Sequence, residues 1–180
     1  MTTNLPAIYS FPPLYTCQPN ALIREQQLTV WCEIIVEFAK KERVWCITAE
    51  GTPAKDGGDK QSVFRNDVIQ RSVKSTFIEE IWHKMIETEK ALRIDSDSNY
   101  FILWRSLDSW SALILQWFES SGKLNQVITL YELIEGDETL GCEFHGMDSM
   151  LMEKCLLRLR ERGRASLLKD QNKVMGVKVV

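Results

Sequence analysis

The sequence predicts an α+β protein in which two successive small domains of one plan follow an extended, proline-rich head. Three observations lead there. Four of the five prolines, Pro6, Pro12, Pro13 and Pro19, lie in the first twenty residues. Beyond them, apolar residues alternate between helical spacings of three and four and short strand-like runs, in an order that occurs twice. An apolar content of 44% with six tryptophans over 180 residues is enough to fill two cores.

Proline fixes φ and removes an N–H donor, so residues 1–19 are expected to be extended or polyproline-like. Tyr9, Phe11, Leu14 and Tyr15 are interleaved with those prolines and need apolar surface to cover them. From Asn20, Leu28, Trp31, Cys32, Ile35, Phe38 and Ala39 form a helical stripe that ends near Arg43. Residues 44–48 read as a strand, followed by a polar, mobile loop containing Thr52-Pro53 and Gly57-Gly58. Asn66 is expected to cap a short helix over residues 67–71, and Val73, Phe77, Ile78, Ile81, Trp82 and Met85 mark a longer one. Residues 91–95 and 100–104 then read as a hairpin around the four-residue turn Ser96-Asp97-Ser98-Asn99.

The order then recurs. Leu107, Trp110, Leu113, Ile114, Trp117 and Phe118 form a stripe that stops at Ser120-Ser121-Gly122. Residues 127–129 are a strand, and Thr129 starts a short helix through Ile134. After an acidic loop, Asp148 caps a helix bearing Leu151, Met152, Cys155, Leu156 and Leu159. A hairpin over residues 165–169 and 174–180, around Asp170-Gln171-Asn172-Lys173, closes the chain.

Helix, strand, two helices and a wing-like hairpin is the order of a winged helix. The expected organisation is a head at residues 1–19 and tandem winged helices at 20–105 and 106–180. Almost no linker separates the two, so they are expected to move as one body.

A winged helix first suggests DNA binding through its third helix. In the first unit Lys74, Lys84 and Lys90 there face Glu79, Glu80, Glu87 and Glu89, which repel phosphate. In the second, Lys154, Arg158, Arg160, Arg162 and Arg164 gather at the helix exit, where they complement the dipole instead of reading bases. The net charge of −3 supplies no general attraction to nucleic acid or anionic lipid. His83 and His145 have no spacing suited to a triad or a metal, so no active site, metal or cofactor is expected. The five cysteines show no C-x-x-C pattern, and Cys32 and Cys155 read as small core hydrophobes of an intracellular protein. There is no basic-then-apolar leader, and no apolar run approaches the roughly 20 residues of a spanning helix. A soluble protein with peripheral or partner-supplied membrane association is expected.

Two segments suggest binding. Pro12-Pro13-Leu14-Tyr15 is a P-P-x-Y motif, and Pro6-Ala7-Ile8-Tyr9 is a near copy of it. A pre-extended backbone loses little entropy on docking, while proline and tyrosine rings fill apolar grooves. Pro6, Tyr9, Phe11, Pro12, Pro13, Leu14 and Tyr15 are therefore candidate protein-binding residues. The plainer alternative is a head packed on its own first domain. In the second unit Val127, Ile128 and Tyr131 are candidate contact residues, with Glu135, Asp137 and Glu138 as a steering rim on a loop without a basic residue. Here the plainer alternative is a solvated loop over a core helix.

The chain resembles a known family in Tyr9-Ser10-Phe11-Pro12-Pro13-Leu14-Tyr15, Cys17-Gln18-Pro19-Asn20, Phe101-Ile102-Leu103-Trp104, Gln116-Trp117, Thr129-Leu130-Tyr131-Glu132-Leu133, Phe144-His145-Gly146 and Val177-Lys178-Val179-Val180. That family is the small, two-winged-helix subunit of the endosomal ESCRT-II complex, the vacuolar protein sorting protein 25 family. Ser121-Gly122-Lys123-Leu124-Asn125-Gln126-Val127 is similar to its fungal form. The resemblance implies a non-catalytic subunit, cytoplasmic and peripheral on endosomes, present in two copies with one copy each of two larger subunits. It implies that the head and first domain dock on those subunits. It also implies that the second winged helix engages and activates an ESCRT-III subunit, for sorting ubiquitinated cargo into multivesicular bodies. Ala7 departs from the doubled P-P-x-Y of fungal relatives, so the downstream motif is expected to dominate. The rival readings are a P-P-x-Y ligand for WW domains of a ubiquitin ligase and a DNA-binding winged helix.

Overall fold

The computed structural model describes residues 5–55, 60–94 and 98–180; Gly57-Gly58 and Ser96-Asp97 of the first predicted hairpin turn lie outside these. The chain divides into two units, Met1–Trp104 and Arg105–Val180.

In the first unit the head does not run extended. It forms two 3-10 turns: Ala7–Ser10, closed by Tyr9 N to Pro6 O at 2.9 Å and Phe11 N to Ile8 O at 3.0 Å, and Pro12–Tyr15, closed by Leu14 N to Phe11 O at 3.0 Å and Thr16 N to Pro13 O at 3.2 Å. Prolines at the start of the second turn cost it nothing, because the first N–H groups of a helical turn are unpaired anyway. Helix α1 (Ala21–Glu42) starts where Asn20 Oδ1 accepts from Leu22 N and Ile23 N, and ends at Arg43 in the left-handed region. Strands β1 (Cys46–Thr48), β4 (Ala91–Arg93) and β5 (Asn99–Ile102) form an antiparallel sheet in the order β1-β5-β4, and α2 (Ser75–Glu87) packs on α1.

Between β1 and α2 the expected helix over residues 67–71 is absent. Strands β2 (Arg65–Asn66) and β3 (Arg71–Ser72) pair there as a small hairpin. Asn66 Oδ1 accepts from Val68 N at 3.1 Å, which closes a local turn, and Gln70 takes a positive φ of 51° that breaks any helix. The third position after Asn66 is Ile69, not the Glu or Gln that would complete a capping box. Gly51, at φ +90°, is required where the chain meets this hairpin: a Cβ there would lie 2.6 Å from the Phe64 ring.

In the second unit α3 (Leu107–Ser120) is capped by Ser106 Oγ, which accepts from Ser109 N at 3.1 Å. Strand β6 (Val127–Thr129) leads into α4 (Leu130–Glu135), then α5 (Ser149–Glu161), β7 (Ala165–Asp170) and β8 (Lys173–Val179). The sheet order is β6-β8-β7, antiparallel throughout. The predicted four-residue wing turn is shorter: Asp170 pairs with Lys173, and Gln171 and Asn172 alone turn the chain with φ of 45° and 66°. Two positive φ values fit the tight turn whose twist matches a hairpin. Ser111, fully buried, places its hydroxyl 2.7 Å from Leu107 O and 2.8 Å from Cys155 O, joining α3 to α5. Both units are thus winged helices, with a hairpin in place of the second helix in the first.

Candidate protein-binding surfaces

The head is built into the first unit. Leu14 is 4% exposed and Tyr15 3%. The Tyr15 ring lies edge-on to Trp31 of α1 at 5.3 Å, and aromatic contacts continue from Trp31 to Phe64, from Phe64 to Trp82, and from Trp82 to Tyr100, stacked at 4.1 Å. Trp31 Nε1 donates to Leu14 O at 3.1 Å. Tyr15 Oη donates to Tyr9 O at 2.7 Å, while Tyr9 Oη lies 2.9 Å from Val63 O and 3.0 Å from Arg65 O beside the β2–β3 hairpin. Desolvation is the main cause that raises the pKa of both tyrosines above the ordinary phenol value.

Side chains offered to a partner are therefore not what the structure makes of Leu14 and Tyr15. They are core residues, and Tyr9 is half-buried against the hairpin. Of the predicted head residues, Phe11 (53% exposed), Pro12 and Pro13 project outward, and Pro6 is partly covered. Ile8 of the degenerate first motif is also exposed, as are Leu22 and Ile23, which no sequence motif singles out. Leu22 and Ile23 sit at the start of α1, where a helix end interrupts the apolar periodicity that would assign their face. A WW groove needs the tyrosine of P-P-x-Y, and here that ring is in the core.

In the second unit α4 begins with a full capping box: Glu132 N donates to Thr129 Oγ1 at 3.1 Å, and Thr129 N donates to Glu132 Oε2 at 2.8 Å. Accepting from Thr129 N, and from Thr129 Oγ1 at 2.7 Å, holds the Glu132 carboxyl below its usual range. Val127 and Tyr131 are exposed, Tyr131 at 69%, whereas Ile128 is 7% exposed, so the expectation of an outward Ile128 is corrected. The cause is strand alternation: Ile128 pairs with Val177 and its neighbours Val127 and Thr129 point the other way. Leu140, in the acidic loop, is 64% exposed, whereas Phe144 and Met147 of the same loop are buried. Glu138 is tied to Lys123 at 2.9 Å and Glu143 to Arg105 at 2.7 Å, which raises the Arg105 pKa. Glu135 and Asp137 form no ion pair among the described residues. Thr139, fully buried, donates to Gly136 O at 3.0 Å and so accepts from His145 Nδ1 at 2.9 Å; this pins the loop and places His145 in a structural role.

The basic cluster at the exit of α5 is largely neutralised within its own unit. Arg162 pairs with Asp108 at 3.0 Å, Arg164 with Glu119 at 3.1 Å and Arg158 with Glu161 at 3.4 Å. An open cleft of about 590 Å³ runs along α2 of the first unit past Ile78, Trp82 and Ile86; Glu50 and Glu79 in its lining are offset by Arg65 and Arg93, so it presents no basic excess for a phosphate backbone. Burial pushes the Cys32 thiol up to about 11 and the Cys155 thiol up to about 12, consistent with packing roles. Among the described residues there is no cluster of metal-binding side chains and no helix long and apolar enough to cross a membrane.

A family model described as "ESCRT-II complex subunit" matches residues 8–148. The chain is 49% identical to vacuolar protein-sorting-associated protein 25 of Saccharomyces cerevisiae, with 98% of each chain covered. It is 31% identical to the protein of the same name from Homo sapiens, with 93% of each covered. Among solved structures, it matches the crystal structure of subunit VPS25 of the endosomal trafficking complex ESCRT-II with a TM-score of 0.90 and 51% identity, covering 97% of this chain and 98% of that one. It also matches a chain of the crystal structure of the endosomal complex ESCRT-II (VPS22/VPS25/VPS36) with a TM-score of 0.86 and 49% identity, covering 97% of this chain and 98% of that one. The relatives carry the names of sorting-complex subunits and not of enzymes. The chain belongs to the ESCRT-II complex subunit family.

Proposed function

We propose that this chain is a non-catalytic ESCRT-II subunit, two copies of which join one copy each of two larger subunits through the head and first winged helix. The observation that carries this reading is the outward presentation of Phe11, Pro12 and Pro13 on a head whose other side is fixed in the core. A related chain is solved in a complex titled VPS22/VPS25/VPS36, which supports two larger partners. A projecting aromatic flanked by proline rings is suited to an apolar pocket, and a fixed backbone reduces the entropy lost on docking. Phe11→Ala with Pro12→Ala should abolish co-elution with the larger subunits on size exclusion while leaving the thermal melt of the free chain unchanged. Assembly at wild-type strength would remove the head from the interface.

The second winged helix engages and activates an ESCRT-III subunit. Val127, Tyr131 and Leu140 supply the contact centre, and Glu135 and Asp137 steer a basic partner helix. In this reading the protein works in the cytoplasm, is held on the endosomal membrane by its partners, and serves the sorting of ubiquitinated cargo into multivesicular bodies.

A further inference from the structure

We propose that two buried amides, Gln27 of α1 and Asn66 of β2, are positioning residues for the docking head; the inference rests on the reading that the head is the docking element. A 3-10 turn is closed by few main-chain bonds, here Leu14 N to Phe11 O and Thr16 N to Pro13 O, so side-chain donors to its carbonyls add to its definition. Gln27, 8% exposed, supplies them: its Nε2 donates to Pro13 O at 3.1 Å and to Thr16 O at 2.9 Å, while its Oε1 accepts from Gln18 N at 3.1 Å. Both amide hydrogens and the amide oxygen of this one side chain are thus used on head backbone. Asn66, 6% exposed, donates from Nδ2 to Tyr9 O at 3.2 Å, the carbonyl that also accepts from Tyr15 Oη. With Trp31 on Leu14 O, the backbone is held at residues 9, 13, 14, 16 and 18.

Between the first two of these anchors Ser10, Phe11 and Pro12 are left exposed, Phe11 and Pro12 carrying the docking rings, with the Pro13 ring beside its own anchored carbonyl. Neither proline has an N–H to hold itself in place. The arrangement separates two tasks: the aromatic rings of Tyr9 and Tyr15 fill the core, and the amides set the direction in which the docking rings point. Loss of an amide leaves the rings buried but the backbone under-determined, so the partner must order the head when it binds.

The test uses the full chain with two near-isosteric variants. Gln27→Met removes both donors and the acceptor. Asn66→Asp keeps the acceptor for Val68 N but sets an oxygen against Tyr9 O. Binding to the purified pair of larger ESCRT-II subunits is measured by titration calorimetry, alongside amide exchange in the free chain and with Phe11→Ala as a control. Each amide variant should raise the dissociation constant about tenfold or more. Amides of Leu14, Thr16 and Gln18 should exchange faster while those of α1 and α2 keep their protection. If protection falls throughout α1 and α2 as well, the amides are general supports of the fold and the positioning role is overturned. Unchanged head amides overturn it too, as does wild-type binding by both amide variants where Phe11→Ala binds weakly; that last result leaves docking through the head standing. Wild-type binding by Phe11→Ala overturns the docking reading itself, and the positioning role with it.

Discussion

The two winged helices solve the same local problem with different residues. Between the first strand and the third helix of its unit, each chain segment must cover the core and turn back. In the second unit Thr129 and Glu132 close a reciprocal capping box, and α4 buries Leu133 and Ile134, so a six-residue helix stands. In the first unit Asn66 is followed by Asp67, exposed Val68 and Ile69; with no acid at the third position the segment becomes a hairpin. That hairpin leaves carbonyls and an amide free to take the head: Val63 O and Arg65 O lie against Tyr9 Oη, and Asn66 donates to Tyr9 O. The comparison teaches that the P-P-x-Y segment completes the first domain, and that only part of it remains for a partner.

The largest expected effect breaks the comparison most directly. Tyr15→Ala removes a 3% exposed ring packed on Trp31 and should destabilise the first unit by about 3 to 5 kcal/mol, a large share of a small domain's stability. Tyr131→Ala, at an exposed ring of the second unit, should change stability by less than about 0.5 kcal/mol. Residue-resolved hydrogen exchange reads each unit separately. If the first unit keeps its protection in Tyr15→Ala, the head is an appendage and not a part of that domain.

Alkali should separate the units in the same sense. Burial raises the pKa of Tyr9 and Tyr15 in the fold above the value near 10 of an unfolded phenol, and moves Cys32 from 9.0 to about 11. A group whose folded pKa is raised contributes stability that is complete below its unfolded pKa and is lost as pH rises through the folded value. The first unit should therefore begin to lose stability above about pH 9, through Cys32, and more steeply above about 10, as the tyrosines follow. The second unit has Cys155, raised to about 12, with the same sign. Tyrosinate absorbance followed together with amide exchange should show the first unit opening at lower pH. Simultaneous opening of both would remove the tyrosine pair as the distinguishing feature.

A smaller effect sharpens the other half of the comparison. Thr129→Ala removes the cap hydroxyl of α4 and should destabilise the second unit by about 1 kcal/mol. Exchange at Glu132 N, which donates to that hydroxyl, should speed up first. An unchanged denaturation midpoint would mean that burial of Leu133 and Ile134 holds α4 without its cap.

Most elements of the fold were legible because their apolar periodicity is long: α1 from Leu28 to Ala39, α3 from Leu107 to Phe118, and α5 from Leu151 to Leu159. The failures share a cause, which is that short segments take their conformation from neighbours far away in sequence. Residues 67–71 are too few to show a period, and their hairpin is stabilised by Tyr9, 57 residues from Asn66. The prolines of the head identify a restrained backbone, yet they do not show that Tyr15 fits beside Trp31. Ile128 read as a contact residue because a three-residue strand gives too few alternations to assign an inner face. The acidic rim was visible as composition, but which carboxylates are already paired depends on Lys123 and Arg105 arriving from other elements.

The last and smallest expected effect concerns that rim. Glu138 and Glu143 are paired and Glu132 is engaged in its cap, so in the proposed function the steering of a basic ESCRT-III helix is assigned to Glu135 and Asp137, both exposed. Exposed charges act at long range, are screened by salt, and change on-rates more than contact energies. Glu135→Lys with Asp137→Lys should slow association about three- to tenfold at low salt and flatten its salt dependence, with little change in dissociation. Val127→Asp replaces an exposed apolar contact beside the rim and should act instead on dissociation, without disturbing Ile128 in the core. Stopped-flow binding of an ESCRT-III subunit at two ionic strengths separates the two effects. If both variants bind with wild-type kinetics while their folds stay intact, the partner does not use β6 and α4. The exposed Met150 at the start of α5 and Leu168 and Met175 on the wing are then the surfaces to test next.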